Sequence, residues 1–317
     1  MRRVGIDCHH GRGQESEVWR TMNPRDAPSE TIQRLTTVLA DLVVLGELMF
    51  ERMRSRLPNR CTELDALPVL FGRYGVQHMA AASALASLRA LTAMAPYARS
   101  LYEATVNLMF IDEDSTGDRA AAYVAHSVAT DEIEAESHVP GSQSAILRGP
   151  YWIDAVGAFP DSDTTGIESA LQASRCVERD PRVLKHLHTF RTRQAPKLAS
   201  VDWGAVVGHG TLHDRAAAIE QRDHYVGMYR TIYRHLSRDG HATNVLEGYV
   251  HDEDGRTKVR DIYVESTAKG EAMLDAVTGQ GLSFVSHIVE THLDNEPELL
   301  REIERIRSAK RLGASAG

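Results

Sequence analysis

Cysteine is scarce in this chain of 317 residues. Cys8, Cys61 and Cys176 lie far apart, form no C-x-x-C pair and have an odd total. This distribution excludes a disulfide framework and a cysteine-rich zinc site, and it favours a reducing compartment. The basic N-terminus lacks the apolar segment of a signal peptide, and no run approaches the roughly 18 apolar residues of a membrane span. We therefore expect a cytoplasmic protein that does not cross a membrane.

The familiar catalytic signatures are also missing. The sequence contains no G-x-x-x-x-G-K-[ST] loop, no G-x-G-x-x-G after a strand, no H-E-x-x-H and no G-x-S-x-G. Nucleotide hydrolases, Rossmann dehydrogenases, zincins and α/β-hydrolases are therefore disfavoured. His186 with His188, and His209 with His213, have spacings that could hold a metal, but neither pair has a clear third ligand in the sequence. We predict neither a metal nor another cofactor.

Positive charge is in deficit, with 36 Lys and Arg against 44 Asp and Glu and a formal net charge of −8. Such a field repels the phosphate backbone of nucleic acid, although a local basic patch could exist. The apolar content of 42% and the charged content of 25% are ordinary for a globular chain with a sizeable core. The expected partner is an unidentified ligand or protein, and a homodimer is left open.

Helical periodicity accounts for most of the chain. Apolar residues recur at helical spacing over 30–56, with Ser29 as the N-cap. A loop is predicted around 58–68, followed by an Ala-rich helix over 75–95 whose small side chains let neighbouring helices approach closely. The next helix, over 97–111, is the most apolar in the chain and is therefore expected to be central.

These patterns predict a mainly all-α fold, a multi-helix bundle in a single domain over about 29–312. Residues 1–28 mix Gly, Pro and charges without periodicity and indicate a flexible arm, and 313–317 are expected to be a disordered tail. Residues 139–166 are rich in Gly and Pro and predict a long irregular connection. An Asp-Gly turn signal between two apolar segments predicts one small β-hairpin at about 245–264.

The helix predicted over 97–111 carries a narrow polar strip. At about 100° per residue, Arg99, Ser100, Glu103 and Asn107 fall on one side of this helix, while mostly apolar residues cover the rest. Because so apolar a helix is buried, the strip is expected to face the interior or a cleft. Arg99 and Glu103 are four residues apart and can form an ion pair. That pair could be a structural tie between helices, or it could bind a substrate.

A second constellation places Tyr225, Tyr229, Tyr233, Ser237 and His241 at intervals of four residues. On a helix this spacing forms a ridge that drifts slowly around the axis. His241 follows a glycine at which the helix should end, so it could cap the last carbonyl groups. It could instead act as an acid, a base or a ligand-binding group.

The segments at 98–111 and 225–241 together resemble a family of uncharacterised bacterial helical proteins. That family pairs an R-x-x-x-E helix with a later Y-x-x-x-Y-x-x-x-S-x-x-x-H helix. The resemblance implies a shared polar site. Its signature positions in this chain are Arg99, Glu103, Tyr229, Tyr233, Ser237 and His241, with Trp203 matching an upstream tryptophan.

The same family is broadly similar to HEPN-type helical domains, many of which are toxin or defence ribonucleases with an R-x(4-6)-H pattern. Arg234 and His241 fit that pattern. Two functions therefore stay open. The first is a non-catalytic binding module, related to stress or defence, and the second is a metal-independent ribonuclease in which His241 and Arg234 cleave RNA. An apolar groove beside the polar site would favour the first, and a dimeric basic cleft would favour the second.

Overall fold

Helices form most of the part of the chain that the computed structural model describes. That part comprises residues 29–139, 141–148, 179–194, 202–233, 249–251, 257–259 and 267–311, with 167, 169, 171, 172 and 174. Its α-helices are α1 (Glu30–Arg56), α2 (Glu63–Ser87), α3 (Ala95–Asp112), α4 (Asp118–Ser137), α5 (Gln143–Arg148), α6 (Pro181–Gln194), α7 (Leu212–Ala218), α8 (Arg222–Met228), α9 (Thr267–His292) and α10 (Pro297–Arg311). The mainly all-α class is confirmed. A membrane crossing would need a longer or more apolar helix than any in these ranges.

Two short strands lie within the region of the predicted hairpin. Strand β1 (Tyr249–His251) pairs antiparallel with β2 (Thr257–Val259), and Val250 is opposite Lys258. The connection between the strands lies outside the described residues, so the wider hairpin over 245–264 stays a prediction. The arm at 1–28, the tail at 313–317 and the domain limits likewise stay predictions.

Helix α1 has the predicted limits because its N-cap works as the sequence indicates. The Ser29 hydroxyl oxygen accepts a hydrogen bond from the Ile32 amide at 3.1 Å, which satisfies one of the free N–H groups at the helix start. The apolar stripe of α1, including Leu35, Leu39 and Leu42, is buried.

Helix α2 corrects the sequence prediction at both ends. The loop predicted over 58–68 is confirmed over 58–62, but the chain is helical from Glu63, because Thr62 and Asp65 form a capping box in which each side chain accepts from the other's backbone N–H. Pro68 lies inside the helix rather than before it. The helix ends at Ser87, so the region predicted as its last turns contains instead a 3₁₀ helix, Thr92–Met94, that leads into α3.

The core is built around α9, which packs against α1, α2, α3 and α10. Small residues allow these contacts to be close, as the Ala-rich character of α2 predicts. A Cβ atom on Gly75 would lie 2.1 Å from the Phe284 ring, and one on Gly281 would lie 2.5 Å from Leu42. Both separations are shorter than van der Waals contact, so a larger residue at either crossing would force the facing side chain or its helix to move.

A second layer, formed by α4 and α6, covers the side of the bundle next to α2 and α3. Glu132 on α4 is buried and accepts hydrogen bonds from Arg191 Nε at 2.8 Å and from Arg191 Nη2 at 2.6 Å. A 3₁₀ helix, Trp203–Val207, also packs on α4, where the Trp203 ring meets Tyr123 edge-on. Trp203 is therefore a core residue, which keeps α4 close to α3.

The predicted long connection over 139–166 is only partly irregular. Its described portion contains α5, which packs back on α4 through the bond from Ser144 to Glu136 at 2.7 Å. Residue 140 and residues 149–166 lie outside the described ranges.

Candidate functional site

Helix α3 is buried on nearly all sides, which confirms its predicted central position. Leu101, Ala104, Leu108 and Phe110 are among its buried residues, and the helix packs on α2, α9, α7 and α4. The polar strip lies where this packing opens. About a third of the Glu103 side chain is exposed, 34% against 29% for Arg99, so the pair lies at the edge of the core and is less buried than so apolar a helix predicts.

Arg99, Glu103 and Tyr233 form one hydrogen-bonded group. Arg99 Nε donates to Glu103 Oε1 at 2.9 Å, and the Tyr233 hydroxyl donates to the same oxygen at 2.5 Å. The Arg99 guanidinium also lies 5.1 Å from the centre of the Tyr233 ring, within cation–π range. The sequence predicted a shared site for these residues, and the structure brings these three together across 130 positions of chain.

The charges of this group are fixed by its contacts. Burial raises the pKa of Tyr233, and the bond to Glu103 raises it further, so the phenol stays neutral and donates its proton. Burial alone would lower the pKa of Arg99, but the hydrogen bond and the charge of Glu103 outweigh it, so the pKa is raised. Arg99 is therefore a permanent cation, and Glu103 accepts from both neighbours.

Tyr229 joins the group as an aromatic neighbour. Its ring stacks on Tyr233 with the centres 5.0 Å apart and the planes 17° from parallel. Residues Tyr229–Tyr233 form a π-helical turn, a rare geometry that often occurs at functional sites. Tyr225, by contrast, is buried in the core, where its backbone carbonyl accepts from the Tyr102 hydroxyl at 2.7 Å. Arg234, Ser237 and His241 lie outside the described residues, so their part in the site stays a prediction.

Glu103 also lines a cavity of about 410 Å³ between α2, α3 and α4. The polar edge of the cavity comes from Ser100, Glu103 and Asn107, three members of the predicted strip. The facing walls are mainly apolar and come from α2 and α4. They include Leu67, Leu70, Phe71, Tyr123, Val124 and Val128. The predicted cleft is therefore present and largely apolar, but its walls could not be identified from sequence spacing.

Asn107 lines the cavity and has an unsatisfied polar atom beside it. Its Oδ1 atom is buried and has no hydrogen-bond partner among the described residues. Leaving a buried acceptor unpaired costs roughly 1–3 kcal/mol, so such atoms are rare in native proteins. Glu103 adds a second acceptor, because both of its bonds end at Oε1 and neither occupies Oε2.

Three of the four histidines considered as metal ligands contact other side chains. His186 Nε2 lies 2.9 Å from Asp118 Oδ1, His213 packs against the Tyr229 ring, and His209 packs against the Phe110 ring. Within the described ranges, no group of three or more His, Cys, Asp or Glu side chains has a geometry suited to a metal ion.

Replacing Glu103 with alanine should lower the free energy of unfolding by about 1–2 kcal/mol. The change removes the acceptor for both Arg99 and Tyr233, but solvent reaches a third of the pair and screens its charges. Urea unfolding monitored by circular dichroism measures the effect. Glu103→Gln keeps an acceptor oxygen, so it should lower the free energy of unfolding by less than half as much as Glu103→Ala does. An alanine variant as stable as the wild type would contradict a structural contribution from this group.

A comparison with protein families places the chain in a wider group. The model of DUF5677, described as a family of unknown function, matches residues 66–257, which is more than half of the chain. The chain therefore belongs to that family, and the matched region contains Arg99, Glu103, Tyr229 and Tyr233. No curated protein and no solved structure matches the chain.

Proposed function

We propose that this member of DUF5677 is a binding module for a small organic molecule, with the ligand in the cavity between α2, α3 and α4. The observation that carries the proposal is the apolar cavity beside the Arg99–Glu103–Tyr233 group. Small-molecule sites are concave, about 300–1,000 Å³ in volume, and mostly apolar with a few placed polar groups. The cavity of about 410 Å³ has these properties.

The Arg99–Glu103–Tyr233 group holds the Glu103 carboxylate in a fixed position at one side of the cavity. Arg99 and Tyr233 both bind Oε1 of Glu103, which restricts the rotation of that carboxylate and directs its other oxygen independently of the ligand. Tyr229 stacks behind Tyr233 and limits the movement of its ring. In this proposal Arg99, Tyr233 and Tyr229 are positioning residues, whereas Glu103 touches the ligand. Such preorganisation lowers the entropic cost of binding.

The ribonuclease alternative depends on Arg234 and His241, whose surroundings the structure does not describe. The net charge of −8 disfavours RNA, and the groove beside the polar site is apolar rather than basic. A bacterial role in stress or defence is supported by the sequence resemblance alone, and a cytoplasmic location is supported by the scarcity of cysteine. We therefore keep RNA cleavage as an outcome to be tested rather than as the proposed activity.

Fluorobenzene, followed by fluorine NMR, tests whether the cavity binds small apolar molecules. Val128 lines the cavity and is half-buried, so Val128→Phe should fill part of the space and weaken fluorobenzene binding about tenfold, or ~1.4 kcal/mol. Val44 is 66% exposed on α1, so Val44→Phe makes the same chemical change away from the cavity and should leave binding unchanged.

Two results would count against the binding module. Wild-type protein that does not bind fluorobenzene, or Val128→Phe protein that binds it as well as the Val44→Phe control, would exclude the cavity as a ligand site. RNA cleavage by the wild type that is lost in His241→Ala would establish the ribonuclease instead, since proton transfer typically contributes about 100-fold or more.

A further inference from the structure

A second cavity, of about 470 Å³, lies between α8, α9 and α10. Leu282 and Ser283 of α9 and Tyr225 of α8 are among the residues that line it. No described residue lines both this cavity and the cavity between α2, α3 and α4. The two cavities are therefore separate, and a ligand of the second does not depend on the function proposed for the first.

Three cations from α10 line the second cavity. Lys310 and Arg311 come three and four residues after Arg307, so the three side chains project from the same side of the helix. The side chains of Arg307 and Lys310 are 33% and 21% exposed, and Arg311 is exposed as well, so a ligand can reach all three. A wall of accessible cations attracts an anion.

Two carboxylates also line the cavity, and neither prevents an anion from binding at the Lys310 end. Asp275 Oδ1 lies 2.8 Å from Lys310 Nζ, but the Asp275 side chain is 62% exposed, so solvent screens the pair and an anion can replace the carboxylate. Glu290 is eleven residues beyond Gly279 on α9, about 16 Å along the helix, which exceeds the screening length of about 10 Å at 0.1 M salt.

The packing around Lys310 leaves room for its ammonium group and offsets the helix dipole. A Cβ atom on Gly279 would lie 3.2 Å from Lys310 Nζ, so the glycine lets the ammonium group approach α9 closely. The C-terminal end of a helix carries partial negative charge, which opposes an anion. Arg34 of α1 donates from Nη1 to the carbonyl oxygens of Ala309, at 3.2 Å, and of Lys310, and this guanidinium group counteracts the dipole at the end of α10.

The remaining walls hold Arg307 in place and provide apolar surface. Arg307 Nη2 donates to the Ser286 hydroxyl oxygen at 3.2 Å, which directs the guanidinium group towards α9. Leu282 and Met109 are buried apolar residues of the lining. Burial raises the pKa of Tyr225 to about 12, so its phenol is neutral and adds no negative charge. An anion with a small apolar body suits these surroundings.

We propose that the second cavity binds a phosphomonoester, with the phosphate group among Arg307, Lys310 and Arg311 and a small apolar body along Leu282 and Met109. Guanidinium groups match phosphate oxygens with paired N–H donors. A phosphomonoester carries close to two negative charges at pH 7, about twice the charge of a carboxylate, so it gains more from several cations. The net charge of −8 favours a small phosphate over the phosphate backbone of nucleic acid.

Phenyl phosphate and benzoate test the proposed class, because they share a phenyl ring and differ in their anionic group. Titration of the full chain at pH 7.5, followed by saturation-transfer NMR, should show phenyl phosphate binding at least about tenfold more tightly than benzoate. Inorganic phosphate should displace phenyl phosphate, because the cations hold the phosphate group. Benzoate that binds as tightly as phenyl phosphate, or phenyl phosphate that inorganic phosphate does not displace, would overturn the proposal.

Lys310→Gln and Lys185→Gln distinguish binding in the cavity from a general effect of charge. Both substitutions remove an ammonium group that pairs with an aspartate, because Lys310 pairs with Asp275 and the surface residue Lys185 pairs with Asp118. Phenyl phosphate affinity should fall about tenfold in Lys310→Gln and less than about twofold in Lys185→Gln. Equal losses in the two variants would overturn the proposal, since they would show attraction by net charge alone.

Asp275→Asn should have the opposite effect, because it removes the carboxylate that competes with phosphate for Lys310. Phenyl phosphate affinity should rise about threefold or more, and a gain in affinity cannot come from a failure to fold. Asp41→Asn removes the same charge from a surface pair with Arg305 and should leave the affinity unchanged. An Asp275→Asn protein that binds phenyl phosphate no better than the Asp41→Asn control would overturn the assignment of the phosphate to Lys310.

Discussion

Replacing Gly75 with alanine should lower the free energy of unfolding by about 3 kcal/mol, although alanine is the better helix former. The new Cβ atom would lie 2.1 Å from Cε1 of Phe284 and 2.7 Å from two other atoms of the same ring. Phe284 is fully buried in α9, so its ring has no free space to enter. Either α2 and α9 must separate or the ring must leave its preferred rotamer, and both changes disturb the centre of the bundle.

Gly227→Ala is the matched control, because it makes the same change in a helix without crowding. Gly227 is exposed in α8, and a Cβ atom there would meet nothing within 4 Å. Alanine should therefore raise the free energy of unfolding by up to about 1 kcal/mol through helix propensity alone. Urea unfolding of both variants measures the contrast. A Gly75→Ala protein as stable as the Gly227→Ala protein would show that α2 and α9 are not in such close contact.

The helices whose ends carry local signals could be predicted most closely. Helix α1 has a serine cap and a regular apolar stripe, and its predicted limits are confirmed. The predicted start of α2 was wrong, because Pro68 and the nearby polar residues indicate a loop. In the structure the reciprocal hydrogen bonds of Thr62 and Asp65 start the helix before the proline. A proline in the sixth position of a helix loses one backbone bond, and the burial of Leu67, Val69 and Phe71 offsets that loss.

In the candidate site, too, contacts within one helix could be predicted from the sequence, whereas contacts between distant residues could not. Arg99 and Glu103 are on one helix, so their spacing alone predicts the ion pair. The bond from Tyr233 to Glu103 joins residues 130 positions apart, and only the resemblance to a family motif linked them. The cavity walls could not be predicted at all. Phe71 and Tyr123 become neighbours only through the packing of α2 on α4, and their spacing in the sequence has no periodic signal.

The opposite end of α3 contains a second polar cluster that the sequence patterns did not indicate. Asp112 is only 12% exposed, and its Oδ2 atom receives hydrogen bonds from His287 Nε2 at 2.7 Å and from His292 Nε2 at 3.0 Å. The two histidines are on α9, five residues apart, so this cluster ties the C-terminal end of α3 to the central helix of the bundle. Asp112 is more than 170 positions from both histidines in the chain, so sequence spacing could not predict the contact.

Asp112 stays ionised in the folded protein. Burial would raise its pKa, but the hydrogen bonds and charges of His287 and His292 outweigh that effect and hold the pKa below its ordinary value of 3.8. A carboxyl group whose pKa is lower in the folded state stabilises that state at pH values above its unfolded pKa. This stabilisation is lost as the pH falls through the folded pKa. The Asp112 carboxylate is therefore ionised above about pH 5, and its contribution to stability disappears only below about pH 3.8.

Asp112→Ala should lower the free energy of unfolding by about 3 kcal/mol at pH 7, because it leaves two largely buried imidazole N–H groups without an acceptor. Asp41→Ala is the matched control, because Asp41 pairs with Arg305 on the surface. This variant should lower the free energy of unfolding by less than about 1 kcal/mol. Urea unfolding at pH 5.5 should give a cost for Asp112→Ala at least as large as at pH 7, because the carboxylate stays ionised at both values and a protonated imidazole binds it more strongly than a neutral one. A cost no larger than that of Asp41→Ala would show that α3 and α9 do not depend on this cluster. A cost that fell sharply between pH 7 and pH 5.5 would mean that Asp112 takes up a proton in the folded state far above the range its lowered pKa predicts.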